Sequence, residues 1–182
     1  MADQINITID SEQLKQKLKL LTSRADNAKD AFAKITQIMA SSVEKNFEAQ
    51  GRYSKPGSWQ GGSTPWTALS NATLLNAIGG GKGYTKGGVA TGRLRAKSLR
   101  TLGKKKSLQS SGQLAASIHP HSTKSSSSLS TNKKYAAIQN FGGKAGRGKK
   151  VTIPARPYMV LQSEDIQDAI VIIEQHLTRG LK

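Results

Sequence analysis

Residues 28–47 read Ala-Lys-Asp-Ala-Phe-Ala-Lys-Ile-Thr-Gln-Ile-Met-Ala-Ser-Ser-Val-Glu-Lys-Asn-Phe. Within them Ala28, Phe32, Ile35, Met39, Val43 and Phe47 recur at steps of three and four, the period of a helix with one apolar stripe. At 1.5 Å per residue such a helix is about 30 Å long. Gly51 follows as its stop, and Pro56 and Gly57 prevent any continuation. A stripe on one side only requires a second layer to cover it, and the flanking sequence offers candidates.

Upstream, Ile5, Ile7 and Ile9 alternate with polar residues and predict a short strand. Asp10 then caps a helix through Leu14, Leu18 and Leu21, with Gln13 completing a capping box and a break near Ser23. At the other end Ser163 is the expected cap of a final helix with Glu164 and Asp165 in its first turn, where acids complement the dipole. Its expected buried stripe is Ile166, Ala169, Ile170, Ile173 and Leu177, and Arg179-Gly180 ends it. Between these ends, Ala116 and Ile118 start a strand, Ser125 to Ser128 turn, and Leu129-Ser130-Thr131 return as a hairpin partner. A short helix over Lys133 to Asn140 stops at Gly142, and Val151 and Ile153 form a strand broken by Pro154 and Pro157. The elements add up to an α+β fold: long N-terminal helices and a C-terminal helix packed on a small, mostly antiparallel sheet. One domain spans 1–182, with 52–107 as an extended basic, glycine-rich loop region inside it.

Charge is divided sharply along the chain. Positions 49 to 163 carry 19 Lys or Arg and no Asp or Glu, while the two ends hold the other 9 bases and all 11 acids. The middle is therefore +19 and the ends together −2, for a net charge of +17. Like charge at this density opposes compaction, so the middle should face a partner or be shielded by neighbours. Nine cations fall between Lys82 and Lys106: Lys82, Lys86, Arg93, Arg95, Lys97, Arg100, Lys104, Lys105 and Lys106. Interleaved with glycines, that stretch should remain mobile in an isolated subunit and order only against an acidic protein or DNA.

The same asymmetry argues against enzymology. Acid/base pairs and magnesium sites need carboxylates, which are confined to the ends. The absence of Cys removes thiolate nucleophiles and Cys-based zinc sites. His119 and His121, two residues apart, read as a solvated strand face, and no metal or cofactor is expected. Gly79-Gly-Gly-Lys-Gly lacks the Gly-Lys-Ser/Thr of a phosphate loop. No nucleic-acid-reading motif accompanies the basic stretch, which suits non-specific phosphate contact or an acidic protein equally. Met1 is followed by polar residues, and no apolar run reaches the roughly 20 residues of a membrane span, so a cytoplasmic protein without membrane contact is expected. Trp59 and Trp66 admit two readings, interface anchors or cover for the long helix. Arg156, set between prolines, is expected to pair with an acid of a terminal helix.

Three separated stretches carry a resemblance. Pro65-Trp66-Thr67-Ala68-Leu69-Ser70 with Thr73 resembles Trp-x-x-Leu-Ser-x-x-Thr. Leu108-Gln-Ser-Ser-Gly112-Gln-Leu114-Ala-Ala-Ser-Ile118 resembles Leu-x-x-Ser/Thr-Gly-x-Leu-x-x-Ser-Ile. Tyr135-Ala136, Phe141-Gly142-Gly143 and Ile153-Pro154-Ala-Arg156-Pro157-Tyr158 resemble Tyr-Ala, Phe-Gly-Gly and Ile-Pro-Ala-Arg-Pro-aromatic. In this order they are similar to the virion morphogenesis, or tail-completion, proteins of Mu-like and related tailed phages. Gln139-Asn140 departs from the family's His-Gln, and the region between Ile78 and Leu108 is long and basic. The resemblance implies a non-catalytic virion protein, assembled in the host cytoplasm into a homo-oligomeric ring, expected to be hexameric, at the head-proximal end of a tail. Its implied partners are neck, connector and tail tube or sheath proteins, with non-specific contact to DNA in the channel. A basic DNA-organising or packaging accessory protein is the alternative. Tyr135, Phe141 and Pro154 to Tyr158 are expected to order the fold.

Overall fold

The computed structural model describes residues 12–51 and 65–180. The expected strand at Ile5 to Ile9, the Asp10 cap, Pro56-Gly57 and Trp59 lie outside them. Helix α1 (Glu12–Asp26) runs through Ser23 without a break and leads into α2 (Lys29–Ala49). After position 65 come α3 (Asn71–Ala77), α4 (Gly88–Thr91) and α5 (Ala96–Gly103). Strands β1 (Ile118–Ser122) and β2 (Ser127–Thr131) form one antiparallel hairpin, with Ile118 opposite Thr131. Helix α6 (Ala136–Phe141) precedes a second antiparallel pair, β3 (Gly143–Ala145) with β4 (Val151–Ile153). Helix α7 (Ser163–Thr178) closes the chain. The α+β class is as the sequence indicates, with two separate hairpins in place of one sheet.

The long helix is the centre: α2 packs on β1 and β2 on one side and on α7 on the other. Its C-terminal half buries Val43 and Phe47, which join Trp66, Leu114, Ala136 and Tyr158 in one cluster. Trp66 meets Phe47 edge-on at 5.8 Å, and Tyr158 lies 5.1 Å from Phe47 on its other side. Of the two readings of Trp66, cover for the long helix is the one realised. The residue that ends α2 in the left-handed conformation is Gln50 (φ 54), not Gly51. Gln50 holds that conformation because its side chain is tied down: Nε2 donates to Phe47 O at 2.7 Å and Ser107 O at 3.2 Å, and Oε1 accepts from Ser107 N. Gly51 is needed for another reason, since a Cβ there would stand 2.8 Å from Pro65 Cα.

Several expectations change. The stretch read as a mobile basic loop is built from short helices around a bridge between Tyr84 and Leu94. Arg95 N donates to Gly83 O, and the buried Ser98 hydroxyl donates to the same carbonyl at 2.7 Å. Glycine allows the closure: a Cβ on Gly88 would lie 2.4 Å from Arg93 O. Cations therefore do not prevent local order, because most of their side chains are exposed while the backbone pairs with itself. The α7 cap is Gln162, one residue before Ser163, in a capping box with Asp165. Ala169, Ile173 and Leu177 of the expected stripe are half-buried, whereas Ile166 and Ile170 are exposed, and Asp165, Ile172 and His176 complete the inward face. Leu14 and Leu18 of α1 are likewise exposed.

Phe141 and Tyr135 are not core residues. Phe141 is 77% exposed, whereas Tyr158 is 0% exposed. Phe47→Ala is therefore expected to cost about 3 to 5 kcal/mol in urea denaturation, and Phe141→Ala no more than about 0.5 kcal/mol.

Tyr158 also predicts a pH dependence. Its hydroxyl donates to Ala136 O at 3.3 Å, and burial, with a smaller contribution from Tyr135, raises its pKa. The folded state then holds this proton more tightly than the unfolded chain does. Its contribution is complete below about pH 10, the ordinary tyrosine value, and is lost as pH rises from there through the folded value. Tyr158→Phe should cost about 1 kcal/mol at neutral pH and flatten the decline in stability above about pH 10, as read by urea titrations across that range.

Candidate functional site

The three motif stretches converge on residues 153–163, which leave β4, run irregularly across the end of α2 and enter α7. Beyond β4 this chain has no ladder to satisfy its polar groups, so side chains do so. Asn140 Oδ1 accepts from both Tyr158 N and Met159 N at 3.0 Å. Asn46 Nδ2 donates to Tyr158 O at 3.1 Å and Val160 O at 3.0 Å. Trp66 Nε1 donates to Pro157 O at 3.1 Å. Gln162 Nε2 donates to Asn46 Oδ1 at 3.0 Å, and Ser42 Oγ to Asp165 Oδ2 at 2.7 Å.

Arg156 is buried, but its partner is not an acid. Its Nε donates to Thr67 O at 3.1 Å, a second guanidinium nitrogen to Ala68 O at 3.3 Å, and its own N–H to Gln139 O at 2.9 Å. Desolvation lowers its pKa, and a fork of donors aimed at neighbouring carbonyls compensates in part. Among the described residues the expected ion pair with a terminal helix is absent, because the guanidinium faces the Thr67 and Ala68 carbonyls that precede α3. Its task there is to join the Trp66 stretch to the Pro154–Pro157 stretch.

Each motif residue has a local reason. Ser70 caps α3, accepting from Thr73 N at 3.3 Å, and the two hydroxyls are 3.0 Å apart. Gly112 takes φ 68, allowing Leu114 to turn into the core. Ser117 Oγ links Leu114 O and Thr131 Oγ1, each at 2.7 Å, tying the second stretch to β2. Gly142 adopts φ 74 where a Cβ would meet Ala155 N at 2.8 Å, so α6 stops against the 153–156 backbone. Pro157 is buried and Pro154 half-buried.

Two open hollows flank this junction. One, of about 710 Å³, lies between Leu69, Lys105, Leu108, Tyr135, Val151 and Arg156. The other, of about 630 Å³, is apolar and lies between Ala137, Phe141, Ala155, Pro157, Met159 and Val160. Phe141 projects into solvent beside it. Among the described residues no three His, Cys, Asp or Glu come together, and no helix is long and apolar enough to cross a membrane.

The predicted cations lie largely away from this junction, although Lys105 and Lys106 line the first hollow. Lys82, Lys86, Arg93, Arg95, Lys97, Arg100, Lys104 and Lys106 are exposed, and Lys105 is half-buried with its ammonium on Ser110 Oγ at 2.8 Å. Arg95 Nε donates to Tyr84 O. No Asp or Glu lies between positions 49 and 163, and among the described residues none of these cations is in an ion pair. Sequence reading missed Ser42, Asn46, Asn140 and Gln162. The available signal was Ser42 and Asn46 beside Val43 and Phe47 on the inward side of α2, where polar residues need buried partners.

The phage virion morphogenesis family matches residues 9–178. Mu-like prophage FluMu G protein 2 of Haemophilus influenzae is 44% identical over 69 residues, 38% of this chain and 50% of that protein. The chain thus spans about half the length of the curated relative it matches. No solved structure matches it. With the motif stretches meeting at one junction and the match covering nearly the whole chain, the protein belongs to the phage virion morphogenesis family.

Proposed function

We propose that the chain is a non-catalytic structural subunit that forms a ring at the head-proximal end of a phage tail, completing the tail and joining it to the head. Membership of the family gives the role in virion morphogenesis; the position and the ring are the reading built on it. The observation that carries it is Phe141. A motif aromatic that is 77% exposed beside an apolar hollow contributes little to folding, and exposed aromatics of this kind are anchors for protein contacts. Exposed Leu14, Leu18, Ile166, Ile170 and Val171 add to the apolar surface on the described residues, and patches of that sort mark interaction sites. The partners are further copies of the chain and other neck, connector and tail proteins.

A second reading, a DNA-organising or packaging accessory protein, draws on the nine cations of 82–106, which suit phosphate. Sizing the protein after removal of nucleic acid separates the two, since a ring needs no DNA to form.

Phage lacking the protein should accumulate packaged heads with unjoined or malformed tails in electron micrographs. Phe141→Ala should reproduce that defect while the purified subunit keeps its melting temperature. Infectious particles made without the protein would sink the proposal.

A further inference from the structure

The surfaces of α5 and α7 are opposites in charge and alike in carrying exposed apolar side chains. Helix α5 turns Ser98, Thr101 and Leu102 inward, leaving Lys97, Arg100 and Lys104 together on the outer face. Leu99, beside them, is 57% exposed, and Val89 of the neighbouring α4 is 67% exposed. Helix α7 has four acids and no Lys or Arg. Asp165 is used in the capping box, while Glu164, Asp168 and Glu174 are exposed without ion-pair partners among the described residues. Ile166, Ile170 and Val171 stand exposed on the same helix. The acidic trio spans ten residues and the basic trio seven, about 15 Å and about 10 Å of helix rise, so the two rows are of comparable reach.

We propose that the outer face of α7 in one subunit docks on the cationic face of α5 in the next copy. This inference rests on the ring reading above and names the contact that would close it. Because the two patches are different elements of one chain, the contact is heterologous, the kind that propagates around a ring when its rotation closes. A second copy fits better than DNA for two reasons. The complementary charge is carried by the same chain, with α5 holding bases and no Asp or Glu and α7 holding acids and no Lys or Arg. Phosphates would neutralise Lys97 and Arg100 but leave Leu99 and Val89 uncovered, whereas Ile166, Ile170 and Val171 offer matching apolar surface. Neutralisation by a neighbour also removes the repulsion that nine like charges on each subunit would otherwise build up around a closed ring.

The test uses the full chain in sedimentation velocity at low salt, with paired charge reversals. Lys97→Glu with Arg100→Glu alters α5, and Asp168→Lys with Glu174→Lys alters α7 while keeping Glu164 at the helix start. Circular dichroism checks that each variant folds, and Leu99→Ser and Ile170→Ser probe the apolar half without touching charge. The wild type should self-associate. Each reversal should weaken association by on the order of tenfold or more, the range expected for opposed interface charges. An equimolar mixture of the two reversed variants should recover assembly, because each then supplies the partner the other lacks. Failure of the mixture to recover, unchanged association of either reversed pair, or a wild type that stays monomeric overturns the contact. Assembly of the wild type only on short duplex DNA, lost on reversal of α5 alone, assigns the face to phosphate and overturns it as well. None of these outcomes bears on the virion role, which fails separately if phage lacking the protein join their tails normally.

Discussion

The fold depends on keeping a ladderless stretch of backbone satisfied in the interior. Residues 157–162 cross the end of α2 with Tyr158 fully buried, and the polar groups of that crossing are met by Asn46, Asn140, Trp66 and the Gln162–Asp165 cap. Leaving one such buried group unpaired costs about 1 to 3 kcal/mol, a large fraction of the stability of a small domain. The side chains that do this come from α2, α6 and the position-66 turn, so the crossing can be completed only when all three are in place. That requirement makes one cooperative unit out of two small hairpins and short helices that would be marginal alone.

Much of this was legible in the residues, for identifiable reasons. The period of Ala28 to Phe47 gives α2, and the serines from Ser125 to Ser128 mark the first hairpin, although Ser127 and Ser128 belong to β2 and not to the turn. What escaped was the role of amides. Asn140 looks like an ordinary helix-end residue, and nothing local says that its oxygen accepts two amides 18 and 19 positions away. Composition misled in three places. Phe141 is apolar and sits in a motif, yet the motif there records the sharp exit at Gly142 rather than burial of the ring. Arg156 was matched with a carboxylate because burial of charge requires compensation, but carbonyls at the start of α3 provide it. The basic segment reads as unable to order itself because glycines interleave its nine cations. Close approach at glycine and main-chain bonding to Gly83 O supply the order instead.

That last point changes what charge segregation does. A mobile cationic loop would pay an ordering cost whenever it met a partner, whereas a folded one presents its charges already placed, which favours binding. The cations of 82–106 are then placed in advance on short helices, and α7, with four acids and no Lys or Arg, carries the opposite charge. In the proposed contact between subunits, such a division would let them orient one another before closer apolar contact forms, and would make early association sensitive to salt.

The central claim is that the cationic region is a folded part of the free subunit. Amide hydrogen exchange on the isolated monomer, diluted below any self-association, tests it most directly. The N–H groups of Gly88, Arg95 and Leu99 donate to Thr85 O, Gly83 O and Arg95 O, and they should exchange far more slowly than an unstructured chain. Exchange of all three at the unstructured rate, with the α2 amides still protected, would show that the segment is a loop awaiting its partner and would contradict the account.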